Sequence, residues 1–301
     1  MHIPDGFLAP PVWITLDLVC LPTIGWMARQ ARRDTDDRKI PLLGVMGAFV
    51  FAAQMIDFPV GLGTSGHLVG GALLAVALGP AAACIVLTAI LAIQAFVFQD
   101  GGIVVLGANV FNMAIAGVLA GYLPSRLWGS RWRSVALVAG GALSVLVSAC
   151  LALAELLISG VRMPGQLLFI SMGLFLANAL IEGAITLAAV RAIERLNPRW
   201  VQNPAQAGSR ALGAVAVAAV LLAVVGILAA SAAPDGIGHL AVRLGLVEQP
   251  PVWLHAPLAD YQLPGLESAW LRKASAGLVG IALIYALCLI AGRFLSRPRS
   301  V

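Results

Sequence analysis

The sequence predicts an all-α, polytopic integral membrane protein of about nine transmembrane helices, a reading that rests on three observations. The 301 residues are 60% hydrophobic and only 11% charged, with a mean hydropathy of +0.94. A soluble domain carries about 25% charged residues. The apolar residues fall in runs close to the 20 or so that a helix needs to cross a bilayer. The basic residues gather in alternate loops, the asymmetry that orients membrane proteins. A soluble globule is thereby excluded, and the net charge of +5 is a topology signal rather than a nucleic-acid footprint.

The spans follow in order. Val12 to Ala28 is the first, and a charged loop from Arg29 to Lys39 follows it. Pro41 to Phe58 is the second, leading into a Gly-rich turn from Gly61 to Gly66 and then His67. From His67 to Phe98 the chain is apolar. One straight helix of that length would reach about 48 Å, against a hydrocarbon core of about 30 Å. Gly79-Pro80 therefore turns the chain, leaving a short third helix (Leu68 to Leu78) and a full fourth (Ala81 to Phe98). Short, glycine-interrupted segments of transporters often begin at membrane depth beside a binding site, and His67 stands at the mouth of this one. After the turn Gln99-Asp-Gly-Gly102 come spans from Ile103 to Leu123, Val135 to Ile158 and Gln166 to Ala192. A polar linker, an eighth span (Ala211 to Ala233), a long loop (Pro234 to Trp270) and a ninth span (Ala274 to Leu295) complete the chain.

With nine spans and the N-terminus outside, 15 of the 19 Lys and Arg residues fall in inner loops; only Arg162, Arg243, Arg272 and Lys273 fall outside. A single span over His67 to Phe98 would switch the later basic loops to the wrong side, so charge supports the Gly79-Pro80 break independently. The expected organisation is a seven-helix unit over 1–193, a cytoplasmic linker over 194–210, and a two-helix unit over 211–301 with an extracytoplasmic loop at 234–270. The C-terminus is cytoplasmic. The four cysteines lie far apart inside apolar runs, without zinc or disulfide spacing, and read as packing residues.

Chemistry concentrates at the start of the chain, Met1-His-Ile-Pro-Asp-Gly-Phe7. Met1 offers an α-amine, and His2 offers its own amide nitrogen and an imidazole nitrogen. Together they form a three-nitrogen chelate with small fused rings. An amide nitrogen binds only after losing its proton, which favours late first-row ions, and Ni²⁺ and Cu²⁺ accept planar nitrogen sets. A fourth nitrogen from elsewhere would close the square. The expectation requires that Met1 be retained, and His2 is too large to favour its removal. It also requires that the segment not be a cleaved signal, and no basic n-region or small-x-small site is present. The alternative is an ordinary histidine in a frayed end.

Both His2 and His67 lie on the outer side in this topology, so a planar site with one imidazole from each is geometrically permissible. His67 alone would equally suit a hydrogen-bonded interfacial histidine. Asn109 and Asn112, three apart on one helix face, are candidates to orient a ligand histidine or to bond between helices. Asp17, Glu155 and Glu182 lie within spans, where acids serve as proton relays or as buried hydrogen-bonding groups. The small-residue stripe Gly44, Ala48, Ala52 permits close helix approach, either by a partner protein or by another span of this chain. Gly61, Gly63 and Gly66 match G-x-G-x-x-G without the βαβ context of a dinucleotide site.

Several of these stretches resemble one family. Met1-His-Ile-Pro-Asp-Gly-Phe-Leu8, then Gly63-Thr-Ser-Gly-His-Leu68 with Gly70-Gly71 and Gly79-Pro80, then Asp100-Gly-Gly with Leu106-Gly-Ala-Asn-Val-Phe-Asn-Met113, are similar to signatures of the CbiM/NikM family. These are the nickel/cobalt substrate-binding components of energy-coupling-factor transporters. The region from about Ala211 resembles the small two-span NikN/CbiN partner. Ala233-Pro-Asp-Gly236 is similar to the start of its P-D-G-L-E loop, with Ile237-Gly238 in place of Leu-Glu. The resemblance implies an inserted N-terminus, with the Met1 amine, the His2 amide and imidazole nitrogens, and His67 as ligands for Ni²⁺ or Co²⁺ as transported substrate. It also implies a transmembrane coupling (T) protein and two cytoplasmic ATPase subunits as partners in the plasma (inner) membrane. The chain lacks G-x-x-x-x-G-K-[ST], so it is expected to be a transporter subunit without its own ATPase site, not an enzyme. The competing expectations are a proton-coupled secondary divalent-metal transporter using Glu155 and Glu182, and an intramembrane metalloenzyme, for which no H-E-x-x-H is present.

Overall fold

A computed structural model of the protein describes residues 1–35, 37–62, 64–197, 200, 208–231, 233, 237 and 255–296. The helices are α1 (Pro10–Asp34), α2 (Ile40–Gln54), α3 (Gly71–Leu78), α4 (Pro80–Ile93), α5 (Leu106–Asn109), α6 (Val118–Trp128), α7 (Arg133–Ile158), α8 (Gly165–Leu196), α9 (Ser209–Val224) and α10 (Ala269–Leu295). α4 runs on through a π-helical turn, Gln94–Phe98, and a second π-helical stretch, Val110–Gly117, joins α5 and α6 into one rod. Among the described residues, seven helical rods are long and apolar enough to cross a membrane: α1, α4 with its π turn, the α5–α6 rod, α7, α8, α9 with the turn after it, and α10.

The expected second and third spans are helices, but too short to count as crossings. α2 has 15 residues and α3 has 8, about 22 Å and 12 Å of rise. α2 ends at Gln54, and Pro59 keeps Phe58, the residue before it, extended rather than helical. The chain instead forms a hairpin of β1 (Phe58–Gly61) and β2 (Thr64–Gly66), antiparallel with an irregularity between Pro59 and Gly61. The predicted glycine turn is thus a small sheet that delivers His67. Gly79 does break the apolar run. It has φ +87° with open space where a Cβ would sit, so the backbone conformation rather than crowding calls for glycine. Pro80 then starts α4, a position its fixed φ suits.

The small-residue stripe on α2 faces this chain's own C-terminal helices. A Cβ on Gly44 would lie 2.7 Å from Tyr285 Cδ2 of α10, and one on Gly47 would lie 2.9 Å from Cys288 Sγ. Ala52 packs with Ala219 and Ala223 of α9. α7 and α8 meet just as closely, since a Cβ on Gly141 would lie 2.7 Å from Gly183 Cα. Large apolar side chains point outward: Leu21, Phe169 and Phe294 are more than 70% exposed. That arrangement suits a lipid solvent, in which packing comes from small residues at helix contacts.

The three intramembrane acids are hydrogen-bonded acceptors. Asp17 of α1 accepts from Gly107 N at 2.9 Å and Glu155 of α7 from Asn112 Nδ2 at 2.9 Å. Glu182 of α8, fully buried, accepts from Val69 N and Gly70 N at 2.8 Å each. It thereby supplies acceptors for the two backbone N–H groups just before α3, which would otherwise be orphaned in an apolar surround. Gly63, most of the 198–207 linker, Pro234, Asp235, Gly236, Gly238, His239 and Arg243 lie outside the described residues, as do Arg199, Arg297 and Arg299.

Candidate metal centre

The first residues are buried inside the helical unit. Ile3 is fully buried, and Met1, His2 and His67 are each about 5% exposed. Three sets of contacts hold them. The Asp5 carboxylate accepts from the backbone N–H groups of Ile103, Val104 and Val105 at 3.0, 2.8 and 3.3 Å. These are donors at the entry to α5, where a negative charge is favoured. Asn109 bonds both peptide groups of Ile3, accepting its N–H at 2.8 Å and donating to its carbonyl at 3.0 Å. Gly102 N donates to the same carbonyl at 2.9 Å. Gly101 makes the close approach possible: its φ is +91°, and a Cβ there would lie 3.2 Å from both His2 Cβ and Asn109 Nδ2.

So held, the Met1 amine lies 2.8 Å from His67 Nε2. His67 Nδ1 is 2.9 Å from the Leu68 carbonyl. A carbonyl only accepts, so Nδ1 carries the proton in the neutral ring and the Nε2 lone pair faces the amine. The His2 and His67 rings lie parallel, 8° apart, with centroids 5.2 Å apart. His2 Nδ1 donates to Asp100 Oδ1 at 2.9 Å, and its buried Nε2 has no hydrogen-bond partner among the described residues. Asp100 also accepts from the Tyr261 hydroxyl at 2.5 Å.

Burial alone would raise the Asp100 carboxyl, but the His2 ring and the Tyr261 hydroxyl beside it hold it below the ordinary carboxylate range. Burial, followed by the Asp100 charge, pushes the Tyr261 phenol well above its usual value. Asp100 therefore stays ionised and Tyr261 stays protonated.

Met1, His2 and His67, expected together from the sequence, stand together. Asn109 reaches the site through Ile3. Asn112 points to Glu155 instead, and its carbonyl accepts from Ser148 Oγ at 2.9 Å. The physical reason is the π-helical stretch from Val110: its wider turns rotate Asn112 off the face it would share with Asn109 on an α-helix. Sequence reasoning placed Asp100 in a turn and a motif but gave it no contact with His2. It gave Tyr261 no role. Asp100-Gly-Gly was the available signal for the first; nothing local marks the second.

A buried N-terminus whose His2 ring lies parallel to that of His67, within a bundle of membrane-length helices, defines a polytopic membrane protein with a candidate transition-metal site. Residues 2–200 match the family described as the cobalt uptake substrate-specific transmembrane region, CbiM. A protein of Archaeoglobus fulgidus named as a fused nickel transport protein NikMN is 36% identical over 293 residues, 95% of this chain and 96% of that one. A fused nickel transport protein LarMN of Lactiplantibacillus plantarum is 32% identical, over 88% of this chain and 90% of its own length. A crystal structure of a transition metal transporter superposes with a TM-score of 0.59 at 30% identity, over 68% of this chain and 97% of that one. The chain belongs to the CbiM/NikM family, in the form with a fused NikN-type C-terminal region.

Proposed function

We propose that the protein is the substrate-binding membrane component of an ATP-driven energy-coupling-factor transporter and captures Ni²⁺, or Co²⁺, with high affinity at the outer face of the cell membrane. The ligands are the Met1 amine, the His2 amide and Nδ1 nitrogens, and His67 Nε2. One observation carries this reading: the 2.8 Å between the Met1 amine and the lone-pair nitrogen of His67. Adjacent corners of a square with metal–nitrogen bonds of about 2.0 Å lie about 2.8 Å apart. In the fused-ring chelate His67 is adjacent to the amine and opposite the amide. An amide-containing planar set leans towards nickel over cobalt.

The fused rings need His2 Nδ1 beside the amine, whereas Nδ1 faces Asp100. A half-turn about the Cβ–Cγ bond brings Nδ1 round and leaves Nε2–H on the Asp100 side. That is the carboxylate–histidine pairing that orients ligating imidazoles. Energy comes from the partners that the family resemblance implies, a transmembrane coupling protein and two cytoplasmic ATPase subunits. The N-terminus is extracytoplasmic, and the basic loops, with the C-terminus, are cytoplasmic. The proposed division is a metal-binding unit over 1–193, a linker over 194–210 and a two-helix unit over 211–301. The proton-coupled alternative gains no specific support, because Glu155 and Glu182 are occupied as acceptors for Asn112 and for the backbone beneath His67.

The test is calorimetric titration of Ni²⁺ into the purified protein and its His67→Ala variant. Loss of one of four ligands should weaken binding by at least the 10–100-fold seen for second-shell changes. Wild-type affinity in the variant would reject the assignment.

A further inference from the structure

The C-terminal region reaches Asp100 through the Tyr261 hydroxyl. We propose that Tyr261 is a positioning residue for both histidines of the site, holding His2 through Asp100 and the backbone after His67 through Gln94 and Gln54. The inference rests on the metal-site reading above and adds a residue from outside the segment matched by the family, 2–200.

The geometry is a chain of hydrogen bonds whose donors diverge from Gln94 and converge on Asp100. The Tyr261 hydroxyl donates to Asp100 Oδ2 at 2.5 Å, and Asp100 Oδ1 accepts from His2 Nδ1 at 2.9 Å. In the other direction Gln94 Nε2 donates to the Tyr261 oxygen at 3.2 Å and to Gln54 Oε1 at 3.0 Å. Gln54 Nε2 then donates to the carbonyl of Val69 at 2.8 Å, two residues past His67. Gln94 is fully buried and Gln54 nearly so. Gln94 Oε1 has no hydrogen-bond partner among the described residues, while Gln94 Nε2, the Gln54 amide, the Tyr261 hydroxyl and Asp100 are partnered, and such partnered buried groups fix orientation. Tyr261 is the member where the two branches meet.

The backbone is shaped around that contact. Among the described residues only four other than glycine have positive φ, and three flank it: Gln99 at 57°, Asp260 at 53° and Tyr261 at 55°. Residues hold such conformations where surrounding contacts over-determine them, and these cluster at functional sites. Gln94 opens a π-helical turn whose last carbonyl bond comes from Asp100 N at 2.9 Å, and π turns of this kind are frequent at functional sites. The Tyr261 ring stacks on Phe98 at 4.6 Å and 17°, and Leu258 N bonds the Val97 carbonyl at 2.9 Å. The loop is thus docked on the end of α4 by contacts that do not involve the hydroxyl. Tyr261, Asp100 and His67 also line one cavity of about 260 Å³.

The stacking lets the hydroxyl be removed alone. The experiment uses the full chain in detergent and compares wild type, Tyr261→Phe, Asp100→Asn, the double variant and His67→Ala. Each is titrated with Ni²⁺ by calorimetry, and the visible absorption of the bound Ni²⁺ is recorded. Tyr261→Phe should weaken Ni²⁺ binding about tenfold and shift the absorption band. In the Asp100→Asn background the same change should add less than about twofold, because the two act through one path. A Tyr261→Phe protein with wild-type affinity and spectrum overturns the inference, as does full additivity with Asp100→Asn. His67→Ala separates the layers. If it weakens binding while Tyr261→Phe does not, only this inference fails. If it binds as wild type does, the metal-site reading fails and this inference with it.

Discussion

Asn109 and Ile3 are joined by two hydrogen bonds, with the side-chain amide of one pairing both peptide groups of the other at 2.8 and 3.0 Å. A side chain on the α5–α6 rod thereby fixes the backbone one residue beyond His2. Replacing Asn109 with Leu leaves the Ile3 N–H and carbonyl with weaker company and frees the chain end to move. We expect Ni²⁺ affinity to fall about 10–100-fold with the helical content intact, measured by calorimetry and circular dichroism. Unchanged affinity would mean that Asp5 and the Gly102 N–H suffice to set the position of the terminus.

Glu182 should matter for stability. Its carboxylate accepts from two adjacent N–H groups just before α3. Glutamine keeps one acceptor and turns an NH₂ group towards the second N–H. An unsatisfied buried donor costs about 1–3 kcal/mol, so Glu182→Gln should lower the thermal midpoint by about 2–12 °C. A thermal-shift assay in detergent reads this out. A midpoint equal to wild type would show that the second N–H finds another acceptor.

Gly44 lies beneath the Tyr285 ring of α10. A valine there forces α2 and α10 apart, so Gly44→Val should destabilise the isolated chain. If the stripe served mainly an external partner, the variant would keep wild-type thermal stability and lose only assembly. The comparison needs one thermal-shift assay and one co-purification.

Metal affinity should fall as pH drops from about 8 to about 5, because the amine, the imidazoles and the amide must shed protons to bind. The supporting contact does not titrate in that window. Asp100 is held below its unfolded value of about 3.9, so its contribution is present above that value and is lost only as pH falls through the still lower folded one. Tyr261 is raised above about 10, so its contribution is complete below that pH and is lost only as pH rises through the higher folded value. The Asp100–Tyr261 contact should therefore stay intact between about pH 5 and pH 8, read as unchanged tyrosine ultraviolet absorption, while Ni²⁺ affinity declines. An affinity independent of pH over this range would indicate carboxylate ligands.

What was legible in the sequence was what apolar run length and single decisive residues encode. The long helices follow from the first, and Gly79-Pro80 follows from the second. The grouping of Met1, His2 and His67 was legible because an amine, an amide and an imidazole are adjacent at the chain start and because both stretches resemble motifs of one family. The hairpin before His67 was read as a turn, since Pro59 and the glycines mark a break without specifying what replaces the helix. Asn112 was placed with Asn109 by α-helical spacing, which a π-helical stretch does not obey. Asp100 and Tyr261 meet across 161 positions of chain, and no local pattern encodes a contact of that separation.

The central claim is that the chain's own terminal amine is a ligand beside His67. The direct measurement adds one residue before Met1, with its retention confirmed by mass spectrometry, and follows Ni²⁺ transport and the absorption of the bound ion with and without His67→Ala. An added residue turns the Met1 nitrogen, 2.8 Å from His67 Nε2, into a peptide nitrogen and carries the amine one residue away. His2 becomes third in the chain, a position from which it can complete a four-nitrogen set without His67. The extended protein should fail to transport Ni²⁺, its spectrum should change, and any remaining binding should be insensitive to His67→Ala. Normal transport that still depends on His67 would show that the amine is not a ligand and would contradict the account.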